Sequence, residues 1–201
     1  MKTLIILYIL LFLPLHLFAQ NKAKANEILK KTENLIQNAK GIRTVFESNE
    51  RGELWIKGEK FYLNCAGIQT WYNGKTQWSY VEDNEEVNIS TPTLEELQQI
   101  NPYFIMKFYK SGYNYQYKGI HTINNQTGYE IVLTPLNQQD ITSITLLIST
   151  EYIPLYLKIE QNYQSSVEFY ITTFQPSPDL SDEWFTFDNN KFPDAEIIDL
   201  R

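Results

Sequence analysis

From residue 42 onward the apolar side chains recur at every second position, run after run, almost to the end of the chain. Such alternation gives each strand one greasy face. Many short runs with mostly brief connections restrict the chain to a meandering antiparallel barrel or sandwich of about eleven strands. Runs at 42–49, 53–57, 60–66 and 86–90 precede a break. Beyond it Tyr113, Tyr115 and Tyr117 alternate, and 129–134 ends at Pro135. Ile144, Leu146 and Ile148 share a face, as do Ile153, Leu155, Leu157 and Ile159, and then Val167, Phe169 and Ile171. A last extended piece is predicted at 184–187.

The strongest local signal is 68–80, Ile-Gln-Thr-Trp-Tyr-Asn-Gly-Lys-Thr-Gln-Trp-Ser-Tyr. Asn73-Gly74 supplies the positive φ angles of a tight hairpin turn. A two-residue turn pairs Trp71 with Thr76 and Gln69 with Trp78. Trp71, Trp78 and Tyr80 then share one face, and Thr70, Gln77 and Ser79 the other. A bulged three-residue turn would split that aromatic set.

Two stretches break the period. Residues 22–39 place Ala25, Ile28, Leu29, Leu35 and Ile36 on one helical stripe, and Gly41 follows as a stop. Between 91 and 111, Thr93 with Glu96 fits a capping box, and Asn101-Pro102 fits a cap followed by proline at the first helical position. Short helices are therefore predicted over 93–99 and 102–109. The second carries Tyr103, Phe104, Ile105, Met106, Phe108 and Tyr109, with Lys107 as its only charge. That is too apolar for a solvated helix, so it must cover a hydrophobic interior, packed or open.

Residues 1–19 combine Lys2, an apolar core over 4–13 and the small Ala19, with Pro14 and His16 interrupting. They read as a secretory signal cleaved near Ala19, which leaves 20–201 as one domain. The 201 residues hold 17 Lys and Arg against 24 Asp and Glu, a net charge of −7, which argues against nucleic acid and anionic membrane surfaces. Lys22, Lys24, Lys30 and Lys31 form the only local basic cluster, read as a solvated helix face.

Beyond the signal the chain holds one cysteine, Cys65, and one histidine, His121. These build neither an internal disulfide nor a histidine-based metal site. Cys65 keeps period-two spacing with Phe61 and Leu63, so it reads as a buried, inert thiol. His121 follows Lys118-Gly-Ile in a turn-like stretch and reads as a surface residue. A Cys65–His121 dyad has no activating neighbours in view. No catalytic residue, metal or cofactor is expected, and the chain is read as a non-enzyme.

Several segments together resemble the periplasmic lipoprotein carrier (LolA-like) family. Gly52-Glu-Leu-Trp-Ile-Lys57 resembles its early Gly-x-Leu/Phe-Trp-x-Lys strand, and Asn73-Gly-Lys-Thr-Gln-Trp-Ser-Tyr80 its Asp/Asn-Gly-Lys-Thr-x-Trp-x-Tyr hairpin. Asn101-Pro-Tyr-Phe-Ile-Met106 is similar to the lid helix, and Tyr129-Glu-Ile-Val-Leu-Thr-Pro135 to a later strand. The end, Phe185-Thr-Phe187 through Pro193 to Ile198-Asp199, is similar to the closing Phe-x-Phe…Pro…Val-Asp. These anchors run in order across nearly the whole chain beyond the signal. The sequence departs at one place: Gly58-Glu59 stands where well-known members carry an arginine tied to the lid and to cargo handover.

The resemblance implies a mainly β protein with helices (α+β), an incompletely closed antiparallel barrel of about eleven strands. An N-terminal helix and a mid-chain helical lid would cap it. By position Phe61, Leu63 and Cys65 would line a lipid-binding cavity, with Tyr103 and Met106 in the lid. Further candidates for the lining are Phe46, Leu54, Ile56, Trp71, Trp78, Tyr80, Leu146, Leu157 and Phe169, and for the lid Leu97, Phe104 and Phe108. The implied partners are acylated lipoprotein cargo, an inner-membrane ABC lipoprotein-releasing transporter and an outer-membrane acceptor. A monomer would meet them in the periplasm, with only transient membrane-proximal contacts. The alternative is a periplasmic sensor or scaffold, or a general lipid-binding domain, on the same half-barrel. A hydrolase comes third.

Overall fold

The computed structural model describes residues 2–101, 103, 105–163, 165–176 and 179–201; the side chains of 2–19, 95, 98, 99, 107 and 108 lie outside that description. One long helix, α1 (Lys2–Asn38), opens the chain. Six strands follow: β1 (Ile42–Glu47), β2 (Arg51–Lys57), β3 (Lys60–Cys65), β4 (Ile68–Tyr72), β5 (Gln77–Val81) and β6 (Glu86–Ser90). Two short helices, α2 (Leu94–Ile100) and α3 (Ile105–Gly112), separate these from β7 (Tyr113–Ile123), β8 (Gln126–Pro135), β9 (Ile141–Ile148), β10 (Pro154–Gln161) and β11 (Val167–Pro176). A short β12 (Glu196–Asp199) ends the fold.

All twelve strands join one sheet in the order β12-β6-β5-β4-β3-β2-β1-β11-β10-β9-β8-β7. Every pairing is antiparallel except β12 with β6, and the sheet does not close on itself. It is the incomplete barrel with helices that the alternation and the resemblance imply. Two meanders, β1–β6 and β7–β11, meet at a single long-range seam between β1 and β11, where Ile42 lies opposite Pro176.

The helix begins at Lys2 rather than at Lys22, where its amphipathic stripe starts, because no glycine precedes Gly41 and Pro14 is the only breaker. Among the described residues no helix is long and apolar enough to cross a membrane. Ala25, Ile28 and Leu29 are fully buried and pack on Ile105, Met106 and Tyr109 of α3 and on the β7–β10 half of the sheet. The basic cluster does more than face water. The ammonium groups of Lys22, Lys24 and Lys31 sit over the rings of Tyr115, Tyr129 and Tyr152, between 4.6 and 5.8 Å from their centroids. Lys31 also donates to the Tyr152 hydroxyl at 2.8 Å.

Two more expectations are corrected here. Residues 184–187 do not form the expected strand: Asp182–Phe185 is a turn of 3-10 helix that buries Phe185, and Thr186 beyond it takes extended angles. In β10 the pairing shifts between Pro154 and Tyr156, so the simple alternation of Ile153, Leu155 and Leu157 fails there.

Candidate functional site: an apolar cavity beneath a helical lid

The inner face of the sheet carries two half-cores. One joins α1, α3 and β7–β10, and the other joins β1–β4, β11 and α2. Between them lies a cavity of about 440 Å³. The first meander supplies Phe46, Leu54, Leu63, Cys65, Ile68 and Val81 to its walls, and the second supplies Leu146, Leu157, Phe169 and Ile171. Ile100, Tyr103 and Met106 form its roof. Phe46 and Phe169 meet edge to face across the seam, with ring centroids 5.3 Å apart. Polar groups in the lining are few: Thr70, Ser79, the Cys65 thiol and the Tyr103 phenol, while the Tyr156 ring packs against Tyr170, 5.1 Å away centroid to centroid.

The geometry follows from register. Leu54 lies opposite Leu63, and Leu63 opposite Thr70, so these three residues share the inner face. Phe46 lies opposite Gly52 across the β1–β2 pair, and the tip of its ring occupies the space above that glycine. An added Cβ at residue 52 would sit 2.2 Å from the tip of the ring, so only glycine leaves Phe46 its place on the cavity wall.

The roof is well anchored at its start. The Thr93 side chain accepts the Glu96 N–H at 3.3 Å, and Glu96 accepts the Thr93 N–H at 2.6 Å, a complete capping box. The Asn101 side chain accepts the Tyr103 N–H at 3.1 Å. Thr44 donates to the Thr173 carbonyl, which leaves its oxygen to accept the Tyr103 hydroxyl at 3.4 Å. Burial pushes the Tyr103 phenol up to about 12, the Thr44 contact opposing it. Lys110 of α3 reaches Glu33 of α1 at 2.7 Å.

Nine of the residues singled out from sequence line this space: Phe46, Leu54, Leu63, Cys65, Leu146, Leu157, Phe169, Tyr103 and Met106. Ile56, Phe61 and Leu97 are packed into the adjoining half-core instead. Phe104 and the side chain of Phe108 lie outside the described residues. Trp71, Trp78 and Tyr80 do share one face as expected, but it is the outer one. Trp71 pairs with Trp78 through a longer loop in which Asn73 Oδ1 accepts the N–H groups of Lys75 and Thr76. That register differs from the two-residue one by an even step, so the faces keep their composition. Their orientation is set one turn earlier. Ala66 and Gly67, both at positive φ, make a two-residue turn that pairs Leu63 with Thr70 and so turns Trp71 outward. There Trp71 and Tyr80 pack on Phe187 and Phe192 of the C-terminal segment, with centroids 4.6 to 5.7 Å apart.

The sequence reading missed Ile68, Thr70, Ser79, Val81, Ile100, Pro154, Tyr156 and Ile171. Reading Ala66-Gly67 as a hairpin turn would have found the first four. The pairing shift in β10 concealed Pro154 and Tyr156.

Cys65 and His121 do not meet. They occupy β3 and β7, far apart in the strand order, and the His121 ring faces Glu130 and the Lys118 carbonyl. Burial pushes the Cys65 thiol up, away from the thiolate a nucleophile needs. Among the described residues no group of three or more His, Cys, Asp or Glu is placed to hold a metal ion.

The family model of the outer membrane lipoprotein carrier protein LolA matches residues 15–163. The chain belongs to the LolA family. Its fold is similar to that of an uncharacterized conserved protein from Thermus thermophilus, with a TM-score of 0.61 at 13% identity over 88% of this chain and 99% of that one. A putative outer membrane lipoprotein-sorting protein domain from Vibrio parahaemolyticus aligns with a TM-score of 0.49 at 13% identity, over 83% of this chain and 97% of that one. The Mycobacterium tuberculosis lipoprotein LppX aligns with a TM-score of 0.48 at 11% identity, over 76% and 94%. No curated protein matches the sequence. Gly58, in the turn between β2 and β3, borders a second, smaller cavity behind the roof.

Proposed function

We propose that this protein is a periplasmic carrier that shelters the acyl chains of lipoproteins in its cavity and shuttles them from the inner to the outer membrane. The observation that carries the proposal is an apolar space of about 440 Å³, roofed by a helical segment, in a LolA-family fold. That volume falls within the range of about 300–1,000 Å³ typical of small-molecule pockets. Each methylene moved from water into such a lining contributes about 0.8 kcal/mol, so ten of them hold a lipid anchor by about 8 kcal/mol without covalent chemistry. The roof must move for cargo to enter and leave. In this reading residues 1–19 direct export and are removed near Ala19. The partners are the acylated cargo, an inner-membrane ABC lipoprotein-releasing transporter and an outer-membrane acceptor, and the carrier travels as a monomer.

The test is titration of the delipidated protein from residue 20 onward with a fluorescent fatty-acid probe, together with mass spectrometry of lipid that copurifies. Saturable micromolar uptake is expected. Failure to take up any acylated ligand overturns the proposal.

A further inference from the structure

The roof of the cavity is also a wall. Tyr103 and Met106 line the 440 Å³ space and, equally, a second cavity of about 200 Å³. The second space is bounded otherwise by Ile36 of α1, Ile56 of β2 and the Gly58 turn. Its polar neighbours are already occupied: Gln37 donates to Glu33 at 3.3 Å, Glu33 binds Lys110, and the Asn101 side chain accepts the Tyr103 N–H. A hydrocarbon end entering there would strip water from no unpaired side chain among these.

The two partition residues differ in freedom. Tyr103 is held by its hydroxyl contact with Thr44 and by Phe174, 6.3 Å away ring to ring. Met106, 4% exposed, has no polar anchor, and its unbranched thioether chain adapts readily to irregular space. We propose that Met106 is a movable end stop that sets the length of acyl chain the cavity accepts. It halts a chain at the end of the larger space, and its displacement opens the smaller one to the methyl end of a longer chain. This inference rests on the acyl-binding reading above.

The experiment is displacement of a bound fluorescent fatty-acid probe by a series of saturated fatty acids of increasing length, all below their micellar range. In the wild type, affinity rises about fourfold per added methylene, the equivalent of about 0.8 kcal/mol, and then stops rising at one chain length. Met106→Ala moves that stop at least two methylenes longer, and Met106→Phe moves it shorter. Adding Ile36→Phe to Met106→Ala fills the second space and restores the wild-type stop. Met106→Phe carries the test alone if Met106→Ala does not fold. A stop shared by the wild type and the Met106 variants overturns the end stop and leaves acyl binding intact. A wild type that takes up neither the probe nor any fatty acid of the series overturns both.

Discussion

Replacing Leu63 with phenylalanine tests whether the central space is usable room. Leu63 is half-buried at the middle of the inner face, between Leu54 and Thr70, and it points into the cavity. The cavity of about 440 Å³ is partly open to solvent, so the larger ring has room to extend along its lining. Adding about 40 Å² of buried apolar ring contributes about 1 kcal/mol. For a chain of this size that raises the melting temperature by about 2–4 °C. The same ring takes the room of about one methylene of ligand, which weakens acyl binding by about 0.8 kcal/mol, or about fourfold. Thermal melting by circular dichroism and titration with a fluorescent fatty acid read the two effects on one sample. A variant that loses about 1–3 kcal/mol of stability while binding the probe normally would refute the reasoning, because the ring would then have met an already filled core.

Gly52→Ala drives a Cβ to within 2.2 Å of Phe46 Cζ, so the ring must swing into the cavity. Stability should fall by about 1–3 kcal/mol in thermal melting, and probe binding should weaken with it. Phe192→Ala strips the cover from Trp71 and Tyr80 on the outer face and costs about 3 kcal/mol, yet leaves probe affinity unchanged. Loss of binding in that variant would mean the two faces are coupled. The Tyr103 phenol, raised to about 12 in the folded state, contributes stability that is complete below about pH 10 and is lost as pH rises through 12. Tyr103→Phe should flatten that part of the alkaline unfolding curve; an identical slope in both proteins counts against a buried neutral phenol.

Local signals in the sequence read true where they are closed within a few residues. The Thr93–Glu96 capping box is present atom for atom, and the stripe Ala25, Ile28, Leu29 is the buried side of α1. The two-sided meander is harder. Alternation separates Trp71 from Thr70 but does not say which faces inward. Hydrophobicity favours Trp71, and the register set at Ala66-Gly67 chooses Thr70. The choice has a physical reason: empty space requires small side chains, so Thr70 and Ser79, which resemble a solvent face in sequence, are what keep that end of the cavity open. The outer aromatics are satisfied by the C-terminal segment, through contacts too distant in sequence for periodicity to reveal.

The seam between β1 and β11 governs when the interior comes into being. Each meander can zip strand to neighbouring strand as the chain emerges, but Phe46 meets Ile171 and Phe169 only once residues near the other end have arrived. Until that closure the two greasy half-faces stand apart, with nothing enclosed between them. A chain whose second meander has yet to arrive therefore encloses no cavity, and the apolar space comes into being only when folding is nearly complete.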